Sequence, residues 1–208
     1  MRTLKISLPL KEKDLQEIRS GDRLLLTGTL IAARDEAHRR LVELKNSGQK
    51  LPVDLRRQTL YYVGPAPSKP GQVINSAGPT TAKRMDTYTK DMLELGVIGM
   101  IGKGERGEET KRLIKGRVIY MAALGGVGAK QSKTIIHQEL LAFEDAGMEA
   151  LRLFEVKDFP VIVIHDLIAF RKEQHDFKAK WIERLTLRWA LKYSKWVFTV
   201  SETTKKDL

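Results

Sequence analysis

The sequence predicts an α/β protein in which strands and helices alternate around a layered sheet. Short apolar runs of strand length alternate with segments whose apolar residues recur every three or four positions. The chain has 208 residues and is 42% hydrophobic, which is enough to bury a core. It contains no run of about eighteen apolar residues, the length that a membrane-spanning helix needs. We therefore expect a compact cytoplasmic protein with no membrane partner.

The predicted elements follow one another in a regular order. Residues 3–10 and 23–31 have the pattern of strands, and residues 34–46 have that of an amphipathic helix ended by Gly48. Further strands are predicted at 59–63, 72–75, 97–102, 117–123 and 151–156, and further helices at 80–95, 107–115 and 131–146. The proline-rich residues 63–72 are predicted to form a loop that enters a site, because they are few and lie between two predicted strands.

The chain contains no cysteine, which limits its chemistry. Disulfides are excluded, and so are the thiolates that normally hold an iron–sulfur cluster. Any such cluster must therefore be bound by another polypeptide. No set of His, Asp and Glu has metal-ligand spacing either, so we expect this chain to bind no metal.

A net charge of +11 makes a nucleic acid a partner to consider. The distribution of charge argues against it, because basic residues alternate with acids in RDEAHRR and KGERGEETKR and are not interleaved with aromatics. These runs are typical of solvated helix faces. An excess of positive charge would also attract small dicarboxylates. A noncatalytic basic binding protein remains an alternative.

Residues 75–104 contain the outline of an anion site. Pro79 suits the first position of a helix, which places Gly78 or Ser76 near the cap. Thr80 and Arg84 are four residues apart, so on a helix they share one face near its positive end. The alternative is an ordinary capped helix with a solvated arginine.

The glycines at 102, 104 and 107 form a G-x-G-x-x-G pattern between a predicted strand and a predicted helix. In a dinucleotide site an acidic residue should end the next strand, yet residues 117–128 contain no Asp or Glu. We expect instead a close approach of the backbone to an anion, with Lys103 projecting between two glycines.

Four motifs occur in an order that resembles a known family. They are GDRLLLTGTLIAARDEAHRRL at 21–41, LYYVGPAPSKPGQVINSAGPTTAKRMD at 60–86, GMIGKG at 99–104 and YMAALGGVGA at 120–129. Together they resemble the beta subunit, or C-terminal domain, of the iron–sulfur class I fumarases and the L-tartrate dehydratases. The likeness continues to residue 163 and so covers about four fifths of the chain.

This resemblance implies a swivelling β/β/α domain over residues 1–163 and a place in a hydro-lyase. The implied reaction is the reversible elimination of water from a 2-hydroxy dicarboxylate, with malate and fumarate as the expected pair. The 4Fe-4S cluster would be held by a cysteine-bearing alpha subunit. We therefore expect a hetero-oligomer in which this chain provides half of the active site and is inactive alone.

The resemblance also implies roles for individual residues. Thr80, proposed in these enzymes as the base, and Arg84 would take part in catalysis. Residues that would bind the substrate are Arg34, Lys103, Gly78 and Thr81. Residues expected to support them are His38, Asp35 and Asp86, with Asp35 and Asp86 holding Arg34 and Arg84 in place. Surface ion pairing is the alternative for both aspartates.

The last segment, residues 164–208, departs from the family pattern. IHDLIAF and the later WVFTVSETTKKDL resemble parts of the N-terminal domain of GT-B glycosyltransferases of family four. A glycosyltransferase fragment is therefore a further alternative function. Trp181, Leu185 and Trp189 have helical spacing, so we expect a helical extension, formed as an amphipathic helix or as strand-helix-strand.

Overall fold

A computed structural model describes residues 1–68, 70–123 and 128–165 of the chain. The strands in these ranges are β1 (Thr3–Ser7), β2 (Arg23–Ala32), β3 (Thr59–Tyr61), β4 (Gly99–Gly102), β5 (Ile119–Ala123), β6 (Ile135–Ala142) and β7 (Leu151–His165). The α-helices are α1 (Glu12–Glu17), α2 (Asp35–Asn46), α3 (Thr89–Glu94), α4 (Glu108–Ile114) and α5 (Gly128–Gln131). Three 3-10 helices cover Ala82–Tyr88, Ser132–Thr134 and Glu144–Glu149.

The strands form one mixed sheet in the order β1-β2-β3-β4-β5-β7-β6. Strands β1 to β5 pair in parallel, and β7 runs antiparallel to its neighbours. Because β7 is 15 residues long, it pairs with β2 along most of its length and with β5 near its end. The pairings therefore close a ring through β2, β3, β4, β5 and β7. This architecture confirms the predicted α/β class.

The parallel strands alternate their side chains between two buried clusters. In β3, Leu60 belongs to the cluster that contains the helices, whereas Tyr61 belongs to the cluster on the other face of the sheet. Met100 and Ile101 in β4 divide in the same way. Helices α2, α3 and α4 add Leu41, Met92 and Ile114 to the first cluster and so cover the sheet on one side. Both faces of these strands are therefore buried, as in other parallel sheets.

Most of the predicted elements are confirmed, but the helix predicted at 131–146 is wrong. Those residues begin with the end of α5 and a 3-10 turn, and then form strand β6. Strand β6 lies against β7 with irregularities at residues 135–137 and 140–142. Pairing with the long β7 overrides the helix preference of Glu, Leu and Ala in this segment.

The strand predicted at 72–75 is also wrong, since this segment stays within the loop. Its Val73 carbonyl accepts hydrogen bonds from the side chains of Ser68 and Gln138. The Ser76 carbonyl accepts from the Ala66 N–H at 2.9 Å. Side chains and a loop contact therefore satisfy carbonyls that a neighbouring strand would otherwise have to satisfy.

The predicted helical extension and the glycosyltransferase-like sequence fall almost entirely outside the described residues. Of the segment predicted as a tail, the structure describes Ile164 and His165, which end β7. Within the described ranges, no helix has both the length and the apolar character required to span a membrane.

Candidate functional site

The candidate site lies where three parallel strands end. Arg34 follows β2, Gly64 follows β3 and Lys103 follows β4, each within three residues of the last strand position. The carboxyl ends of parallel strands meet at one edge of a sheet, where ligands commonly bind in α/β proteins. The fold therefore gathers residues that are up to 69 positions apart in the sequence, counting from Arg34 to Lys103.

A short extended segment, residues 79–82, crosses this edge. The Thr80 N–H donates to the Tyr62 carbonyl at 2.7 Å, and the Lys103 N–H donates to the Thr80 carbonyl at 3.1 Å. The Ala82 N–H donates back to the Lys103 carbonyl at 2.8 Å. Thr81 and Lys103 are consequently paired as in a parallel sheet. This ladder brings the predicted hydroxyls and the predicted lysine side by side.

The ladder also corrects the predicted start of the helix. Pro79 is paired with Val63 in an antiparallel bridge, and the 3-10 helix begins at Ala82 with Thr81 as its cap. Gly78 therefore is not a helix cap, and Thr80 and Arg84 do not share a helical face. The N–H and the carbonyl of Thr80 form hydrogen bonds with neighbouring segments, so they are not available for hydrogen bonds within a helix that begins at Pro79.

Arg84 is held at the site by Asp35 instead. Its Nε donates to Asp35 Oδ1 at 3.0 Å and its Nη2 lies 2.9 Å from Asp35 Oδ2. This two-pronged contact fixes the plane of the guanidinium. The Arg84 side chain is 51% exposed and its Nη1 has no hydrogen bond to a described residue, so it can still bind an anion.

Arg34 meets the same carboxylate from the other side. Its Nε donates to Asp35 Oδ2 at 3.3 Å, and its Nη2 lies 3.2 Å from Glu149 Oε1. A Cβ added to Gly64 would stand 2.6 Å from Arg34 Nη1, so glycine there lets the guanidinium lie across the backbone. Asp35 thus bridges two arginines, which agrees with its expected support of Arg34.

Glu149 is a support residue that the sequence reasoning missed. One of its oxygens contacts Arg34, and the other accepts the Glu36 N–H at 2.9 Å. Glu36 lies in the first turn of α2, where backbone donors lack a partner within the helix. No side chain of the cap residue fills that role, so Glu149 replaces it from a distance of 113 residues along the chain.

His38 is fully buried beneath Arg34. Its Nδ1 lies 2.8 Å from the Arg34 carbonyl, which can only accept, so Nδ1 carries the proton. Its ring packs edge-on against Tyr62 and tilted against Tyr88. Burial lowers the pKa of His38 to about 4, so the ring is neutral near pH 7. The geometry places His38 behind Arg34, where the side chain supports the start of α2.

We call Arg34, Asp35, Thr80, Thr81, Arg84 and Lys103 the rim. Lys103 is exposed and has no ion pair with any residue in the described ranges. The hydroxyls of Thr80 and Thr81 also lack a hydrogen-bond partner within these ranges. Two of the rim cations, Arg34 and Arg84, therefore share one carboxylate, and Lys103 is paired with the segment that carries the two unoccupied hydroxyls. This arrangement suits an anionic ligand that carries several oxygens.

Asp86 does not contact Arg84, contrary to the expected support role. It binds Arg106, whose Nε donates to Asp86 Oδ1 at 2.5 Å, and the Gly107 N–H, which donates to Asp86 Oδ2 at 2.7 Å. Arg106 is fully buried, which corrects the prediction that the run KGERGEETKR is a solvated helix face. We call Tyr62, Asp86, Thr89, Arg106 and Tyr120 the support layer. No local pattern in the sequence signals it.

The glycine pattern has a structural reason. A Cβ at Gly102 would stand 2.9 Å from both Ala82 and Tyr62, and a Cβ at Gly107 would stand 2.9 Å from Asp86. Gly104 has a φ of +74° between these two contacts. The glycines therefore allow the loop after β4 to pack closely against residues 82–86, and they place Lys103 on the outside.

No group of three or more potential metal ligands occurs in the described ranges. The chain also has no cysteine, so its residues do not fit an iron–sulfur cluster.

Comparisons with known proteins agree with the resemblance. The family model described as "Fumarase C-terminus" matches residues 1–169. The chain is 38% identical over 167 residues to "Fumarate hydratase class I, anaerobic" of Escherichia coli (strain K12), which covers 77% of this chain and 30% of that protein. It is 38% identical over 158 residues to "Fumarate hydratase 2" of Leishmania major, covering 74% of this chain and 28% of that protein.

A third relative has a length closer to that of this chain. The chain is 38% identical over 170 residues to "L(+)-tartrate dehydratase subunit beta" of Escherichia coli (strain K12), covering 77% of this chain and 82% of that protein. The chain thus spans less than a third of the fumarate hydratases that it matches, but most of the tartrate dehydratase subunit.

Proposed function

Since the chain belongs to the Fumarase C-terminus family, we propose that it is the beta component of a hydro-lyase acting on a 2-hydroxy dicarboxylate. Malate and fumarate are the preferred pair. The observation that carries this proposal is that Arg34 and Arg84 share the Asp35 carboxylate while Lys103 pairs with the Thr80–Thr81 segment, all at the carboxyl edge of the sheet. We infer that the closed ring with helices on one side corresponds to the swivelling domain that the family resemblance implies.

The three cations would bind the two carboxylates of the substrate. A guanidinium binds a carboxylate through two parallel N–H groups, whereas an ammonium acts as a point charge. Arg34 and Arg84 each keep Nη1 free of hydrogen bonds to described residues, and Asp35 holds both planes in place. Substrate can therefore bind without first breaking the pairs that orient the arginines.

Thr80 would accept the proton in the elimination. The carbon next to one carboxylate loses its proton to the deprotonated Thr80 Oγ1, and the C–H electrons form the double bond. The hydroxyl on the neighbouring carbon departs with its bonding electrons and takes up a proton from solvent to leave as water. A threonine hydroxyl is a weak base near pH 7, so its deprotonated form needs nearby positive charge. Lys103 is its neighbour in the ladder and supplies such a charge.

A cysteine-bearing alpha subunit would complete the site. The name of one relative includes "subunit beta", and this chain has no thiolate of its own. The 4Fe-4S cluster of the alpha subunit supplies a Lewis acid for the departing hydroxyl when it is bound. We propose that the active form is a hetero-oligomer and that it is cytoplasmic.

Anaerobic co-expression with a candidate alpha subunit tests the proposal. Fumarate formed from malate is followed by its ultraviolet absorbance, with each chain alone as the control. We expect activity only when both chains are present. A complex that is active on L(+)-tartrate but not on malate would keep the hydro-lyase assignment and replace malate by tartrate as its substrate. A stable, cluster-loaded complex that is inactive on both would contradict it.

A further inference from the structure

Arg106 is a buried charge next to the rim that the reaction itself does not use. Its side chain is 0% exposed, and every nitrogen has a contact. Nε donates to Asp86 Oδ1, Nη1 donates to Tyr62 Oη at 3.2 Å and lies 3.7 Å from Met100 Sδ, and Nη2 donates to Thr89 Oγ1. The guanidinium carbon also lies 5.5 Å from the ring centroids of Tyr62 and Tyr120.

These contacts join the segment that carries Thr80, Thr81 and Arg84, the loop that carries Lys103, and the end of β3. Asp86 lies on the 3-10 helix Ala82–Tyr88, which carries Arg84 and follows directly after Thr80 and Thr81. Arg106 itself lies in the loop that presents Lys103, and the Tyr120 hydroxyl holds the Gly104 carbonyl of that loop at 2.7 Å. Tyr62 supplies the carbonyl that receives the Thr80 N–H. The Arg106 guanidinium therefore connects all three segments through direct contacts.

We propose that Arg106 is the positioning residue of the rim: its guanidinium sets the distance between Lys103, Thr80 and Arg84 by binding Asp86, Tyr62 and Thr89 together. The role at the active site rests on the proposed function, whereas the mechanical role does not. Arg106 acts through other residues and does not contact the substrate.

The shape of the side chain makes this role specific to arginine. A guanidinium offers five N–H donors in a rigid plane, and here they point to a carboxylate, a phenol and a threonine hydroxyl. A lysine keeps the charge but has one nitrogen, so it cannot reach all three partners. Arg106→Lys therefore separates the loss of geometry from the loss of charge.

Hydrogen exchange of the full chain tests the mechanical role without any assay of activity. In Arg106→Lys, the backbone amides of residues 80–88 and 102–108 should exchange hydrogen about tenfold faster than in wild type. The exchange rates in β2 and in the early part of β7 should be unchanged. Arg40→Lys is the matched control, because Arg40 also pairs with carboxylate and lies over an aromatic ring, but touches neither segment. Equal exchange in wild type and Arg106→Lys would overturn the proposal.

Turnover with the alpha subunit tests the role at the active site. We expect Arg106→Lys to lower kcat/KM by roughly 10- to 100-fold, through both a higher KM and a lower kcat, while Arg40→Lys stays within about twofold. If wild type turns over and Arg106→Lys matches it, the role at the active site is wrong. If the wild-type complex itself is inactive, the proposed function fails and the exchange experiment still decides the mechanical role.

A second variant covers the case in which Arg106→Lys does not fold. Asp86→Asn keeps an acceptor for the Gly107 N–H and removes only the ionic contact with Arg106. It should produce faster exchange in the same two segments. Unchanged exchange in Asp86→Asn would overturn the proposal equally.

Discussion

Arg84 and Arg106 are close in sequence and both contact a carboxylate, yet their surroundings differ. Arg84 is 51% exposed, has one carboxylate partner and keeps a free Nη1. Arg106 is 0% exposed, and its nitrogens are occupied by a carboxylate, two hydroxyls and a sulfur. The rim therefore has donors available for a ligand, whereas the support layer has used all of its own. We infer that rim substitutions change turnover with little change in stability, whereas support-layer substitutions lower stability as well as turnover.

The largest expected effect is on the support layer. Arg106→Met leaves the Asp86 carboxylate without its cation in a site that is only 18% exposed, which typically costs about 3–5 kcal/mol of unfolding free energy. For a domain of this size, that corresponds to a fall in Tm of roughly 6–20 °C. Arg56→Met is the control, because Arg56 is 80% exposed, and a change within about 0.5 kcal/mol is expected. Equal losses in the two variants would show that the buried contacts of Arg106 add no more stability than a surface ion pair.

On the rim, Thr80→Ala should give the opposite result. Loss of a general base lowers turnover by roughly 10³-fold, yet the unfolding free energy should stay within about 0.5 kcal/mol because the hydroxyl has no partner in the described ranges. Arg84→Ala should act in the same direction. Steady-state kinetics of the complex and urea unfolding of the chain measure the two quantities. Thr87→Ala, at an exposed position on the 3-10 helix that carries Arg84, should affect neither. Normal turnover in Thr80→Ala would refute the role of Thr80.

His38 contacts Arg34 of the rim and Tyr62 of the support layer, and its burial makes the stability of the fold depend on pH. Burial lowers its pKa to about 4, whereas the unfolded chain has the ordinary value of about 6.5. Between these values the unfolded state binds more protons, so stability rises with pH across this window and is lost as pH falls through it. The loss from pH 7 to pH 4 should be about 3 kcal/mol. His38→Asn should flatten this part of the pH–stability curve, and a variant with the wild-type slope would contradict the assignment.

The smallest effect is expected at Glu149, which joins the rim to the start of α2. Glu149→Gln keeps an acceptor for the Glu36 N–H but loses the ion pair with Arg34, so we expect a loss of about 1 kcal/mol in stability. Denaturant unfolding measures it. Glu144→Gln, at an exposed position on the same 3-10 helix, is the control and should be neutral. A neutral Glu149→Gln would show that Arg34 does not depend on this contact.

The rim was largely predictable from the sequence, because its residues occur in motifs that resemble a family. The pattern did not give the geometry, since the ladder between Thr80 and Lys103 depends on strands that are distant in sequence. The expected helix at Pro79 failed for the same reason. The spacing of Thr80 and Arg84 describes one face of a helix. Pairing of Pro79 with Val63 and of Thr81 with Lys103 instead gives residues 79–81 an extended backbone.

The support layer and Glu149 were not predictable. Arg106 lies in a run of alternating charges, and such a run is usually solvated. Its burial results from Tyr62, Asp86 and Tyr120, which reach it from three separate elements. Similarly, the helix predicted at 131–146 is wrong because these residues pair with β7. The local spacing of apolar residues does not reveal such a pairing with another strand.

Chemical modification of Lys103 in the complex with the alpha subunit tests directly whether the rim binds the dicarboxylate. The rate of lysine acylation is measured by mass spectrometry with and without malate, and with acetate as a monocarboxylate control. Lys50 is exposed and distant from the rim in sequence, so it serves as the internal reference. We predict that malate slows the acylation of Lys103 and leaves that of Lys50 unchanged. Equal rates at Lys103 with and without saturating malate would contradict the account.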